Sequence, residues 1–347
     1  MKIKKLIIYL IIIIFFKTET VLSEKNLFNV NNIQLEKKAK ISNKTLTDQA
    51  IKKGYTQLLD KILLKKDFNK LLDLNFNSIK ELVTYYQIST DLSEEKKEIV
   101  NFNITFDKDK IHELFYSRGI SYSEILDKEL YILPILIKNG EIFIFNNNFF
   151  YKAWNNVYQN DLIEFILPLE NIEIIQNINK NKNNLIDVNL NELFKEYTKK
   201  NLALVIFEEN NNFKKVYIKS ILQGKNISKS LNFKKKDKVI DQYYEEIITD
   251  TKKELINLVK SKNLIDIRTP SFLNVRFNLS QKSNLVELNL RIKNIDLVEK
   301  VYVQQFNKDY MNLKIKYLGK LEKIIYQLKK EKIELKLINE QWVIDTL

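Results

Sequence analysis

One apolar run in this chain outlasts all the others, and it lies at the start. Leu6–Phe16 is unbroken, with Met1-Lys-Ile-Lys-Lys5 before it and Lys17-Thr-Glu-Thr-Val-Leu-Ser23 behind it. At about 11 residues it falls short of the ~20 that a helix needs to span a bilayer. A basic head, a short apolar centre and small side chains at Val21 and Ser23 make the pattern of a secretory signal peptide, with cleavage expected between Ser23 and Glu24. No later run reaches spanning length, so the mature body has to hide its apolar residues by packing short elements on one another.

That packing has no covalent help. The 347 residues contain no cysteine, which removes disulfides, thiolate chemistry and the lipid anchor of a bacterial lipoprotein. Five glycines and three prolines argue against a loop-dominated or disordered chain, and 45% apolar content suffices for two or three cores. The net charge is +13, falling to +10 without the leader's four lysines and one glutamate. Nearly all of the positive charge is lysine, the arginines being Arg118, Arg268, Arg276 and Arg291. Readers of bases and phosphates favour the guanidinium fork, so a lysine, asparagine and isoleucine excess fits AT-rich coding better than nucleic-acid recognition. Loose contact with acidic lipid or cell-wall polymer remains compatible with it.

Periodicity gives the organisation. Leu27–Leu35 reads as a strand, and Thr47 as the cap of a helix whose face is Ala50, Ile51, Gly54, Tyr55, Leu58, Leu59, Ile62 and Leu63. A short helix at Ser78–Val83 leads to a hairpin of Thr84–Thr90 and Ile99–Phe106 about the turn Asp91–Lys97. Asp107 caps a helix that stops at Gly119. Asn139-Gly140 predicts a second hairpin, with Pro134 at an edge or bulge. Phe149–Tyr158 reads as a helix, Glu164–Leu169 as a strand, Asn177–Asn184 as a polar loop and Leu190–Lys200 as a helix. The strands Leu202–Phe207 and Lys214–Leu222 follow, suggesting an α/β layer. Lys236–Lys262, free of glycine and proline, predicts one long amphipathic helix whose stripe packs on its own domain or docks a partner helix.

The last 80 or so residues give β-α-β-β-α-β if the ambiguous Leu285–Ile295 is helical, with final strands around Asn339-Glu340. The expected class is therefore α+β and multidomain: small αβ modules with a C-terminal ferredoxin-like module after a long linking helix. The expected boundaries are a signal peptide at 1–23, an N-terminal α+β domain at 24–125, a middle α/β domain at 126–235, the connecting helix at 236–265 and the C-terminal module at 266–347.

Several short matches accompany this order: Asp48-Gln-Ala50 with Gly54 and Leu58-Leu59, Phe102–Phe106 leading to Arg118-Gly119-Ile120, Leu133-Pro134, Trp154, Leu167-Pro168-Leu169, Tyr317-Leu-Gly319 and Trp342-Val343. Together they resemble the bacterial exported family catalogued as domain of unknown function number 2066, in its alphaproteobacterial form. Where that family carries a tryptophan on the first helix of the C-terminal module, Leu288 or Leu290 stands here. The resemblance implies an envelope location and brings no activity and no site residues.

Chemistry is mostly excluded. His112 is the only histidine, which disfavours zinc and any Ser-His or Cys-His hydrolase; it reads as a surface or half-buried helical residue. Ser117, Ser121 and Ser123 lie in no nucleophile elbow, and the isolated Gly54, Gly119, Gly140, Gly224 and Gly319 open no phosphate cradle. Glu94-Glu95, Glu208-Glu209 and Glu245-Glu246 read as solvated pairs in turns or on a polar helix face. Phe213-Lys-Lys-Val-Tyr217 and Phe233-Lys-Lys-Lys236 read as strands with one wet face rather than stacking platforms. The sequence thus predicts a periplasmic, non-catalytic binding or scaffold protein without cofactor or metal. Its expected partner is an envelope protein or cell-wall component, with no nucleic acid and at most peripheral membrane contact. The alternatives are a carboxylate-based hydrolase of cell-wall glycans and a lysine-rich binder of anionic polymer.

Overall fold

The computed structural model describes residues 27–37, 42–92, 98–158, 162–197, 199–209, 213–234, 240–279 and 285–346. The leader with its Ser23–Glu24 junction, the tip of the first hairpin and Glu94-Glu95 lie outside them. The chain is α+β and forms two compact units. One takes the residues up to Asp60 with Lys66–Tyr122 and Ile265–Leu347, the other Lys61–Lys65 and Ser123–Leu264.

The first unit begins with β1 (Asn29–Glu36), α1 (Asn43–Ile62), α2 (Phe76–Glu81), β2 (Val83–Leu92), β3 (Glu98–Phe106) and α3 (Lys108–Arg118). The strands form an antiparallel sheet in the order β1-β3-β2. Helix α1 starts a turn earlier than its apolar period suggests. Ser42 Oγ accepts from Thr45 N at 3.1 Å, and Thr47 lies inside the helix, its hydroxyl donating to the Asn43 carbonyl. A β-branched hydroxyl that reaches a carbonyl four residues back is tolerated mid-helix, so threonine alone is an ambiguous start signal. Gly54 lets α1 approach the sheet closely: a Cβ there would lie 2.8 Å from Ile33 Cδ1 and 3.1 Å from Ile104 Cδ1. Helix α3 is capped by Asp107, which accepts from Asp109 N and Lys110 N, and ends at Gly119 in the left-handed region, as expected.

The second unit holds β4 (Glu129–Lys138), β5 (Glu141–Phe143), α4 (Phe149–Ala153), β6 (Glu164–Ile166), α5 (Ile172–Lys180), α6 (Leu190–Leu193), β7 (Asn201–Glu209), β8 (Phe213–Leu222), β9 (Lys225–Lys234) and α7 (Ile240–Lys262). The sheet order is β9-β8-β7-β4-β5, with β6 also beside β4. Strands β4 and β7 run parallel. Both faces of β7 are buried: Ala203, Val205 and Phe207 join the cluster under α4 and α7, while Leu202, Leu204 and Ile206 join the one under α5 and α6. A strand covered on both sides must be apolar throughout, which explains the unbroken run at Leu202–Phe207. The stripe of α7, including Tyr243, Ile247, Leu255 and Val259, packs on its own sheet.

Three expectations need correction here. Pro134 lies inside β4 opposite Val205, not at an edge or bulge. It sits between the stretch paired with β6 (Glu129–Tyr131) and that paired with β5 (Leu136–Lys138), and its carbonyl accepts from Asn148 Nδ2 at 2.9 Å. A missing N–H costs no ladder bond in such a gap. The asparagine-rich tract is not a loop from Asn177: α5 runs to Lys180, held by buried Ile174 and Ile178 one turn apart and capped by Asn171. The helix expected over Leu190–Lys200 is two short pieces, α6 and a 3₁₀ turn at Lys195–Tyr197. Strand β9 had no sequence forecast; it returns from β8 through Gln223-Gly224, both at positive φ.

The chain closes within the first unit with β10 (Ser271–Asn278), α8 (Leu285–Lys293), β11 (Val298–Phe306), β12 (Tyr310–Tyr317), α9 (Leu321–Lys330), β13 (Ile333–Ile338) and β14 (Gln341–Thr346). The sheet order is β11-β12-β10-β14-β13. After α9 the chain enters the outer strand first and turns at Asn339-Glu340, so that β14 lies beside β10 and parallel to it. The result is β-α-β-β-α-β-β with five strands. Alternate burial along β12, from exposed-side Tyr310 to buried Tyr317, places one face on a core and leaves the other open.

Candidate functional site

The open face of the C-terminal sheet concentrates the most unusual chemistry among the described residues. Residues directly opposite in neighbouring strands share a face. Phe272 therefore lies in a row with Lys316 and Lys300, Asn274 with Lys314 and Tyr302, and Arg276 with Asn312. Their partners on the other face, Leu273, Val275, Leu313 and Ile315, are buried. Phe272 and Tyr302 stay 50% and 40% exposed. Each ring on this face carries a cation: Lys314 Nζ is 4.4 Å from the Phe272 centroid, Lys300 Nζ 5.2 Å from Tyr302 and the Arg276 guanidinium 4.3 Å from Tyr310. Such contacts hold flexible side chains upright over the sheet. Lys316 pairs with Glu299 at 2.7 Å, and that bond raises its pKa above the ordinary lysine value. The face is thus a basic plate with three rings set in it. Its β13–β14 flank is mixed, Lys336 pairing with Glu334 at 2.7 Å.

The outer strand β11 is poorly suited to pairing. Its register shifts between Val298 and Lys300 and again between Val303 and Gln305. Irregularities of this kind are how native sheets keep an edge from recruiting another strand.

A second feature lies in the other unit. A cleft of about 280 Å³ is lined by Glu170, Glu173, Glu192 and Glu196, together with Tyr197 and Ile174. Acids from separate elements thus meet in one depression, which sequence neighbours such as Glu245-Glu246 do not provide. Neighbouring side chains hold three of the four: Glu170 accepts from Asn146 Nδ2 at 3.1 Å, Glu192 from Asn189 Nδ2 at 3.2 Å, and Glu173 pairs with Lys195 at 3.3 Å. Tyr197 stacks on Tyr131 with centroids 4.2 Å apart. No sequence signal marked this cleft, because its acids come from two stretches about 20 residues apart, Glu170–Glu173 and Glu192–Glu196.

The remaining candidates resolve into structure. His112 is buried, not half-exposed: it stacks on Tyr122 at 5.3 Å and meets the edge of Phe28 at 5.5 Å, and burial pushes its pKa down to about 4. Glu208-Glu209 lies at the end of β7 rather than in a turn, and Glu209 accepts from Tyr244 and faces Lys138 at 3.7 Å. Lys252 on α7 is buried beneath Trp154 and Phe165, donates to the Val157 carbonyl at 2.6 Å and is pushed by burial to about 8. It ties the long helix to the carbonyls behind α4. Among the described residues no three His, Asp or Glu side chains converge as metal ligands, and no helix is long and apolar enough to cross a membrane.

No protein-family model, curated protein or solved structure matches this chain. The residues themselves are the only guide to function.

Proposed function

We propose that this chain is an exported, non-catalytic binding protein of the cell envelope, and that it engages a negatively charged component through the open face of its C-terminal sheet. The observation that carries the reading is the triplet of cation-bearing rings on one uncovered face, with Lys316 in the same rows. Export is supported by the leader pattern and by the resemblance described above. Strand addition at the β11 edge is disfavoured by the two irregularities in that strand. The test is retention of the full chain on immobilised heparin. Lys300→Gln, Lys314→Gln and Lys316→Gln together are expected to shift elution to markedly lower salt, because each lost contact removes counterion release. Unchanged elution of the triple variant would place the negative partner elsewhere or nowhere.

A second reading rests on the acidic cleft. Two carboxyls about 5–10 Å apart suffice for glycoside hydrolysis, and Glu173 and Glu192 line one depression from separate elements. On this reading the chain releases reducing ends from purified cell-wall glycan, and Glu192→Gln lowers the rate at least ~100-fold. Release at the same rate by wild type and variant, or none by either, removes the hydrolase.

A further inference from the structure

We infer that the partner of this face is a surface rather than a thread: the headgroup plane of an anionic phospholipid bilayer. This rests on the reading that the open sheet face is the binding face, and it names the occupant. A linear polyanion is best held by cations in file along a groove. Here the cations spread in two directions. Lys314 and Lys316 follow one another along β12, Lys300 lies across from Lys316 on β11, and Arg276 lies on the opposite side, on β10. With strands ~4.8 Å apart and alternate residues ~6.8 Å apart along each, they cover a flat patch rather than a track.

The rings point the same way. Phe272 and Tyr302 emerge half-exposed among the ammonium groups, not in a pocket. An aromatic body surrounded by lysine is the pairing that a lipid interface accommodates, rings at headgroup depth and cations at the phosphates. Lysine also suits such a surface. A bilayer offers many phosphates without fixed geometry, so a hydrated point charge serves as well as a bidentate fork. The charge complementarity is local, with Glu299 the acid paired within the basic rows.

Co-sedimentation of the full chain with phosphatidylglycerol and phosphatidylcholine vesicles tests this. Binding is expected to the first and not the second, and to weaken as salt is raised. Replacing Lys300, Lys314 and Lys316 by glutamine is expected to weaken it roughly a hundredfold, about fivefold for each cation near an anionic surface. Phe272→Ala with Tyr302→Ala is expected to cost roughly a further tenfold on vesicles and clearly less on heparin, where the rings act only by steadying Lys314 and Lys300. Heparin retention with no sedimentation on either vesicle, or equal loss on heparin and vesicles from the ring variant, overturns the lipid surface and leaves the binding face standing. Failure on heparin and vesicles alike overturns both.

Discussion

Taking the protein from pH 7 to pH 4 is expected to lower its stability by about 3 kcal/mol through His112 alone. The imidazole is held at about 4, against an ordinary value near 6.5, chiefly because burial disfavours its charged form, with Lys108 adding to the effect and Glu299 and Asp109 opposing it. The unfolded chain takes up a proton near pH 6.5 and the folded one does not until about 4. Between those values the unfolded state binds more protons, so stability is intact above 6.5 and is lost as the pH falls toward 4. The two acids are outweighed by the ring's surroundings: Nε2 is buried with no hydrogen-bond partner, and the ring packs on Tyr122 and Phe28. Urea midpoints measured between pH 7 and 4 for wild type, His112→Phe and His112→Gln isolate the effect from general carboxylate protonation. Both variants should lose the steep limb between 6.5 and 4. Parallel curves for all three proteins would show that the histidine does not titrate as argued.

That histidine illustrates what the sequence does and does not disclose. Its place on a helix followed from Asp107 and Gly119, both of which do in the structure what their types predict. Its burial did not follow, because one of the rings that enclose it, Phe28, is far off in sequence, and the other, Tyr122, lies beyond the end of the helix. The same division runs through the chain. Strand β7, the Asn139-Gly140 turn and the stripe of α7 were legible because each is a local pattern with one physical cause. The asparagine tract misled because composition suggested a loop, while two isoleucines four apart decided for a helix. The basic plate was the least legible feature. Its rows join Phe272, Lys316 and Lys300, so only the pairing of three strands assembles them. Lysine next to aromatic residues along one strand gives no such information: Phe213-Lys-Lys-Val-Tyr217 lies on β8, in the other unit.

Trp154→Ala is expected to have the largest effect of any single substitution on the second unit, about 3–5 kcal/mol. The indole is fully buried, edge-on to Phe165 at 5.8 Å and to Phe207 at 6.3 Å, and forms part of the roof over Lys252. Removing it leaves a cavity between α4, β6 and β7, and it strips one ring from a buried ammonium that has already lost its water. Trp154→Phe keeps a ring in place and should recover most of the loss. Because the chain has two compact units, one global transition need not report this. Amide exchange within Asn201–Glu209, the central strand, is the direct readout, with the strands of the first unit as internal reference. Protection of β7 within ~1 kcal/mol of wild type would mean the site collapses around the gap. Gly54 makes the same point from the other unit, where its missing side chain admits Ile33 and Ile104. Trp154 and Gly54 thus each have a packing reason to be what they are. Positions of this kind are fixed by the core, and any binding chemistry has to be sought on surfaces like the open sheet face, where packing leaves the choice of residue free.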